Sequence, residues 1–477
     1  MPTRVVRLVV LLALGGATGC AVIRPGGGFD DVQKLVSRRT PAQIHWGDGT
    51  GTEPAVAQRV KDLLHNEITA GAAVQIALLN NRKLQAAYGR LGIAQADLVQ
   101  AGLPPNPVLL LDVHPGTSGP GLGVELGLVT EFISILQIPL RKRVAAAAFE
   151  EAKLEVAHAV WDLATEVKAA FYRLQGALQM LELRQKVTQA TTLSAQVAGR
   201  QHEAGNNTDL ELANEQALDD DARLELAESE VEVESAREEL NKLLGLWGAD
   251  TTWTIAPRLP GLPEHQLPPA GLESRAMEQR LDLAVARQQM EVLSRTAELT
   301  RLYRLLPTGE AGVSAHREPE DGFWSTGPSL ALPIPIFDQR QAVLASNLAE
   351  LRQSEERYAA LAVDIRADVR RAWVRMQAAR RRAEYCRTVA LPRRQRVVDE
   401  TQKEYNAMLV GVFQLLQAKR DEVETARRYL DALTGYWVGR AELERAVGAE
   451  LPVDGAVPPP ASIPAEPTAP HVHHHGG

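Results

Sequence analysis

The chain has 477 residues, of which 45% are apolar, 23% charged and 5% aromatic, with a formal net charge of -8 and two cysteines. Two cysteines exclude a disulfide-stapled miniprotein, the apolar share excludes a disordered chain, and the negative balance excludes a chain built to bind nucleic acid. The length suffices for a sizeable core and, taken alone, for two or three domains.

The first twenty residues read as an export signal. Arg4 and Arg7 make a basic start, Leu8 to Leu14 an apolar stretch, and Ala17-Thr18-Gly19 leads into Cys20. Residues 1–19 are the expected signal peptide, and the mature chain lies outside the cytoplasm. Ala17-Thr18-Gly19-Cys20 resembles a bacterial lipoprotein box, in which Cys20 becomes the acylated first residue; ordinary cleavage after a small residue is the alternative. Residues 20–70 are then a lipidated N-terminal segment. Past the signal there is no run of about 18 apolar residues, so any crossing of a membrane is made by a β-barrel. Cys386 has no partner for an intrachain disulfide and reads as a small buried hydrophobe.

Self-comparison fixes the organisation of the rest. Glu166-Val-Lys-Ala-Ala-Phe171-Tyr-Arg-Leu-Gln175-Gly-Ala matches Asp368-Val-Arg-Arg-Ala-Trp373-Val-Arg-Met-Gln377-Ala-Ala, and Ala204-Gly205 with Leu210 matches Ala407-Met408 with Phe413. The first copy spans 71–247 and the second 273–447. Each opens with a helix of roughly 30 residues, 72–103 and 273–306, stopped by Pro104-Pro105 or Pro307. A hairpin follows, at about 108–135 and 310–333, turning at Pro115 to Gly121 and near Glu318 to Gly322. Val124 to Leu128 and Ser329 to Leu332 alternate with period two, as half-buried strands do. Then comes a very long helix, a tight tip and a returning helix. Residues 340–391 and 209–244 contain neither Gly nor Pro, and the former would be roughly 78 Å long at about 1.5 Å per residue. The tips are Gly205-Asn206-Asn207 and Met408-Leu409-Val410-Gly411, where Gly and Asn tolerate the left-handed backbone of a reversal. Residues 248–272 form a Pro-rich linker and 448–477 a Pro/His-rich tail expected to be disordered.

Four strands per chain cannot close a barrel, since closed membrane barrels begin at about eight. Three chains supply twelve, so the expected fold is mainly α with a small β part: a tandem-duplicated long-helix unit whose trimeric α-barrel continues a 12-stranded β-barrel. A non-transporting periplasmic helical lipoprotein scaffold is the competing architecture.

Ala73-Val-Gln-Ile-Ala77-Leu-Leu-Asn80-Asn81, Gln100-Ala-Gly-Leu-Pro-Pro-Asn-Pro107 and Pro333-Ile-Pro-Ile-Phe337-Asp-Gln-Arg340, together with the duplication, resemble the TolC-like outer membrane efflux family over about residues 55–447. The resemblance implies a homotrimeric channel, in contact with outer membrane lipid and extending into the periplasm. Such a channel passively conducts substrate delivered by an inner-membrane efflux pump through a periplasmic adaptor protein. The lipid on Cys20 resembles that of the lipoprotein branch of this family, and Ala21 lacks the Asp that favours inner-membrane retention. An outer-membrane, lipid-anchored protein is the expectation.

No Gly-rich phosphate loop, GxSxG, HExxH or CxxC pair occurs, so neither enzymatic activity nor a cofactor is expected, and no nucleic acid partner. The tips are the candidate functional surface. Met408, Leu409, Val410, Val412 and Phe413 put more apolar character on a reversal than a solvated turn needs, which points to adaptor contact, Gly205 to Asn207 and Gly411 completing that surface. Packing against a neighbouring protomer's tip is the alternative. In the family, acidic side chains just beyond the second tip narrow the pore. The resemblance places Gln414 and Gln417 there, Glu211 and Asn214 at the matching offsets of the first copy, and Tyr405 where a closing-network tyrosine stands, with Val410 replacing its arginine. His471, His473, His474 and His475 suit Cu, Ni or Zn as neutral imidazoles, although an idle tail or a purification-tag remnant explains them equally. Finally, the acidic run Asp219 to Glu234 and the basic run Arg380 to Arg396 lie at similar distances from their tips, so the acidic returning helix is expected to face the basic ascending one.

Overall fold

The computed structural model describes residues 26–47, 53–115, 121–266, 268–317 and 323–452. In chain order these form α1 (Phe29–Ser37), α2 (Glu53–Leu64), α3 (Ala70–Asn80), α4 (Arg82–Ala101), β1 (Val108–Pro115), β2 (Leu122–Glu131), α5 (Phe132–Glu203), α6 (Asp209–Leu244), α7 (Leu272–Gln279), α8 (Leu281–Tyr303), β3 (Glu310–Arg317), β4 (Ser325–Ala331), α9 (Gln341–Tyr385), α10 (Leu391–Asn406) and α11 (Val412–Val447). No helix among the described residues is long and apolar enough to cross a membrane.

The helix expected over 72–103 is two helices. Asn81 takes an extended backbone (φ -66°, ψ 117°), and its side chain accepts from the Leu84 N–H, so it ends α3 and caps α4. The second copy breaks in register at Arg280 (φ -67°, ψ 124°), where the Asp282 carboxylate accepts both from the Arg280 guanidinium and from the Leu283 N–H. Neither break involves Gly or Pro.

The ascending helix of the second copy is interrupted as well. Between α9 and α10 the chain makes one π-turn, Cys386–Ala390, with the Leu391 N–H donating to the Cys386 carbonyl. The wider turn sits just before Pro392, whose missing N–H would orphan a carbonyl of a regular helix. It also absorbs an added residue: equivalent positions lie 202 apart from Glu166 and Asp368 to Gln175 and Gln377, but 203 apart at Gly205 and Met408. Cys386 sits half-buried on this turn instead of in the core.

The chain divides into two compact units that each draw on both copies. The first comprises the residues up to Gln58, Leu78–Leu163 and Ser274–Ala367. It contains one antiparallel four-stranded sheet in the order β1-β2-β3-β4, so both hairpins join a single sheet. Its N-terminal part is folded, not a bare tether: Phe29 stands edge-on to Tyr88 at 5.3 Å, Trp46 lies 6.1 Å from Phe29, and Asp31 pairs with the buried Lys153 at 3.0 Å.

The second unit comprises Arg59–Ala77, Ala164–Glu273 and the residues from Asp368 onward. Here α5 packs on α6 through Thr191 and Thr192 to Asp219 and Ser194 to Glu215. It packs on α11 through Tyr172 and Trp437, whose rings lie 5.2 Å apart, and through Gly176, where any Cβ would strike Thr434. The linker expected to be an irregular spacer is a packed strap: Trp253, Ile255, Leu259 and Leu262 are buried, and Ile68 bridges to Ile255. Gln175 donates to the carbonyls of Ala256 and Arg258, the Trp437 indole to Pro260, and the buried Arg380 guanidinium to Pro263, Glu264 and His265.

Residues 448–452, expected to belong to a disordered tail, are packed against the fold. Gly448 closes α11 in the left-handed conformation (φ 78°), and Leu451 is buried. Lys168 pairs with Glu444 at 3.1 Å and Glu450 at 2.6 Å, while Arg440 donates to the carbonyls of Leu451 and Pro452. Residues 453–477, like the signal and Cys20, lie outside the described residues.

Within one protomer the two charge runs do not meet, and a single chain leaves a meeting between protomers open. Among the described residues no ion pair joins Asp219–Glu234 to Arg380–Arg396. Arg380 turns into the strap, Arg394 reaches Asp421 at 2.7 Å, and Glu225 pairs with Arg184. Each run satisfies its few buried charges locally and leaves the others outward.

Candidate functional site

Opposed residues in an antiparallel register share a face, and that rule divides the four strands into two faces. One row reads Asp112, Glu125, His316, Ser325; the rows beside it read His114 with Gly123, and Leu110, Gly127, Ser314, Gly327. Val108, Val129, Gly312 and Ser329 come next on that face, and Glu131 with Glu310 follow. The other face carries Leu109, Leu128, Val313 and Pro328 in one row, and Leu111, Leu126, Ala315 and Thr326 in the next. Its large side chains are exposed, Leu109 at 70% and Leu111 at 65%. One predominantly apolar face backed by one that carries the carboxylates and the imidazole is the pattern of a barrel wall between lipid and an aqueous lumen. Phe323 and Trp324 at one end and Phe337 at the other are exposed aromatics of the kind that flank such a wall. The sheet ends on β1 and β4, which meet no further described strand.

At the first tip, Gly205 takes the left-handed backbone (φ 75°), with its N–H on His202 and the Asn206 N–H on Gln201. Thr208 and Glu211 then form a capping box: the Thr208 hydroxyl accepts from the Glu211 N–H, and the Glu211 carboxylate accepts from the Thr208 N–H at 2.8 Å. Asn207 donates to the Gln201 side chain. This tip is polar and tied to itself.

The second tip reverses with the same backbone bonds, Met408 N–H to Tyr405 and Leu409 N–H to Glu404, but Met408 takes the left-handed conformation (φ 61°). Gly411, expected to supply it, is extended (φ -82°, ψ 168°) and begins α11 without a side-chain cap. A left-handed Met is costly, and its side chain is 93% exposed, with Leu409 at 75% and Phe413 at 64%. Strain and exposed apolar surface coincide here, and neither is spent on the interior.

The gate candidates are placed as follows. Glu211 serves the cap, and Asn214 is exposed. Tyr405 is half-buried and Gln414 exposed. Gln417 donates to Asp421 at 3.1 Å, and Asp421 also accepts from Arg394. Asp421, one turn beyond Gln417, was not singled out from the sequence; the i, i+4 spacing of Gln417 and Asp421 was the available signal. The N–H and hydroxyl of Thr208 hold the Glu211 carboxyl below the ordinary glutamate range. A depressed carboxylate stabilises above its unfolded value and loses that contribution as pH falls through the folded one. Hydrogen exchange at residues 208–211 should therefore accelerate selectively below about pH 4.5, and exchange no faster there than at pH 7 after correction for intrinsic rates would refute the cap. Cys20, His471, His473, His474 and His475 lie outside the described residues.

The family model for outer membrane efflux proteins matches residues 73–246 and 272–449. The cobalt-zinc-cadmium resistance protein CzcC of Cupriavidus metallidurans is 23% identical over 390 residues, covering 80% of this chain and 90% of CzcC. A membrane protein from Pseudomonas aeruginosa superposes with a TM-score of 0.69 at 20% identity, over 80% of this chain and 92% of that one. The CmeC outer membrane channel of Campylobacter jejuni does so with a TM-score of 0.69 at 14% identity, over 87% and 91%.

Proposed function

Since the chain belongs to the outer membrane efflux protein family, we propose that three copies close one barrel and pass a cation cargo that a specific inner-membrane pump and periplasmic adaptor deliver. The protein is an outer membrane efflux channel component of a tripartite system. The observation that carries the assembly is the sheet: four strands, mainly apolar on one face and carrying the carboxylates and the imidazole on the other, with both edges open among the described residues. Three such sheets make twelve strands, and β1 of one copy then meets β4 of the next. The helices continue the conduit on the periplasmic side. The strained, exposed Met408 with Leu409 and Phe413 supports the second tip as the adaptor contact.

Divalent metal cations are the cargo class that the likeness to CzcC and the Asp112, Glu125, His316 row support together. In planar bilayers the purified trimer should conduct ions, and a strain lacking the protein should become more sensitive to cobalt, zinc or cadmium. A properly trimeric sample without conductance would return the protein to the scaffold architecture, and unchanged metal sensitivity would remove the cargo assignment alone. Lipid anchoring at Cys20 is the second part of the proposal, supported by the lipoprotein box. Cys20→Ser should abolish acyl labelling of the exported chain; labelling that persists would refute it.

A further inference from the structure

Helices α6 and α9–α10 each bury one side within the protomer and leave an apolar stripe exposed on the opposite side. On α6 the inward stripe is Glu215, Asp219, Ala222, Ser229 and Val233, all buried. At about 100° per residue, Leu210, Ala217, Leu224 and Val231 fall on the opposite side. Leu210, Leu224 and Val231 are 71%, 66% and 69% exposed. Acids flank that outer stripe: Asp221, Glu228 and Glu232 along one border and Asp220 and Glu234 along the other, all exposed and none in an ion pair among the described residues. On α9 the inward stripe is Ile365, Val369, Ala372, Met376 and Ala383. Opposite it stand Val363, Val374 and Tyr385, at 62%, 54% and 58% exposure. Their neighbours Arg381 and Arg382, and Arg393 and Arg396 on α10, are exposed and make no ion pair among the described residues.

The packing inside the second unit says where these outer stripes lie. α6 contacts α5 through Thr191, Thr192 and Ser194; α5 contacts α11 through Lys168, Tyr172 and Gly176; α11 contacts α9 through Gly435 and Gly439, and α10 through Asp421. The four columns therefore run α6, α5, α11, α9–α10, and the two unpartnered stripes are the flanks. One flank is apolar with acidic borders, the other apolar with basic borders. The acidic and basic runs also sit at similar residue counts from Gly205 and Met408, the two left-handed tip residues.

We propose that the partner of each flank is a second copy of this chain, the acid-bordered stripe of α6 seating on the base-bordered stripe of α9–α10 of the next protomer. The interface is heterologous, head to tail, and closes into a ring after three copies. It rests on the trimeric reading above and adds the register and the adhesive chemistry to it. Apolar contact supplies the attraction, and the charged borders fix which helix meets which and in what axial register.

The test compares three full-length variants in detergent, reading the trimer fraction by native mass spectrometry and helix content by circular dichroism. The first carries Asp221→Lys, Glu228→Lys and Glu232→Lys; the second Arg381→Glu, Arg382→Glu and Arg396→Glu; the third all six. The first two should need about tenfold more protein, or beyond, for half assembly, with helix content retained, and the third should return to within about threefold of the parent. Coexpressing the first with the second should not restore trimers, because a ring of three has an odd number of interfaces and one always opposes like charges. Single reversals that assemble like the parent, or a folded sixfold variant that stays apart, would overturn the interface while leaving the channel intact. A parent that is itself monomeric would instead overturn the trimeric reading. Should the sixfold variant lose helix content, the parent decides: its dissociation constant must rise with salt between about 0.05 and 0.5 M, and a flat response refutes the charged borders.

Discussion

Arg380→Met should lower the stability of the assembled protein by about 3–5 kcal/mol, the cost of breaking a buried charged network from one side. Arg380 is 4% exposed and donates to Pro263 at 2.6 Å, Glu264 at 3.3 Å and His265 at 3.4 Å, with Glu384 at 2.7 Å as its counter-ion. Methionine matches the aliphatic stem but satisfies none of the three carbonyls, which then remain buried without donors. The strap between the two copies is Pro-rich and among its described residues has no helix or strand ladder of its own between Thr252 and Pro269, so buried apolar side chains and these side-chain donors hold it. The thermal midpoint should fall, and limited proteolysis should open a new site between Trp253 and Pro268. An unchanged midpoint with an intact strap would show that Gln175 and Trp437 suffice without Arg380.

Gln414→Asp with Gln417→Asp should make the channel markedly more cation-selective and sensitive to trivalent cations. With both glutamines lining the lumen of a trimer, as the proposed reading has them, two new carboxylates per chain become six, whereas the parent amides carry no charge. Gln417 now donates to Asp421, whose carboxylate also accepts from Arg394. An aspartate at 417 would lose that donor and face a like charge one turn away, leaving two acids per chain that bind a small multivalent cation better than either alone. Reversal potentials in asymmetric salt measure the shift, and added trivalent cation measures the block. Unchanged selectivity and block would mean that both glutamines face helix neighbours and not the lumen.

Much of this architecture is written in local pattern. The match of Glu166–Ala177 to Asp368–Ala379 reveals two copies, the Gly- and Pro-free stretches reveal the long helices, and period two at Val124–Leu128 reveals the strands. The breaks at Asn81 and Arg280 are less legible, because a side-chain cap can end a helix without any residue that forbids it. Glycine is the default for a left-handed position, which points to Gly411 at the second tip, but the backbone bonds place it at Met408 in register with Gly205. The folded N-terminal segment depends on Phe29, Trp46 and Tyr88 meeting across separations that no periodicity reports. Which tip and gate residues face the pore depends on neighbouring copies, and a single chain's sequence holds that only through its free, oppositely charged flanks.

The π-turn at Cys386–Ala390 gives the molecule a tolerance that an unbroken rod would lack. One residue added to a regular α-helix swings everything beyond it by about 100°, so every apolar position on the far side would have to be chosen again. Widening a single turn spends the added residue where it enters and returns the helix to its former phase. Val398 beyond the turn stays buried, as does Ala383 before it, while the first copy crosses the equivalent stretch, Arg184–Thr188, as regular helix. The twin halves could thus drift apart in length by one unit during their history without either having to rewrite the seam that lies tipward of the change.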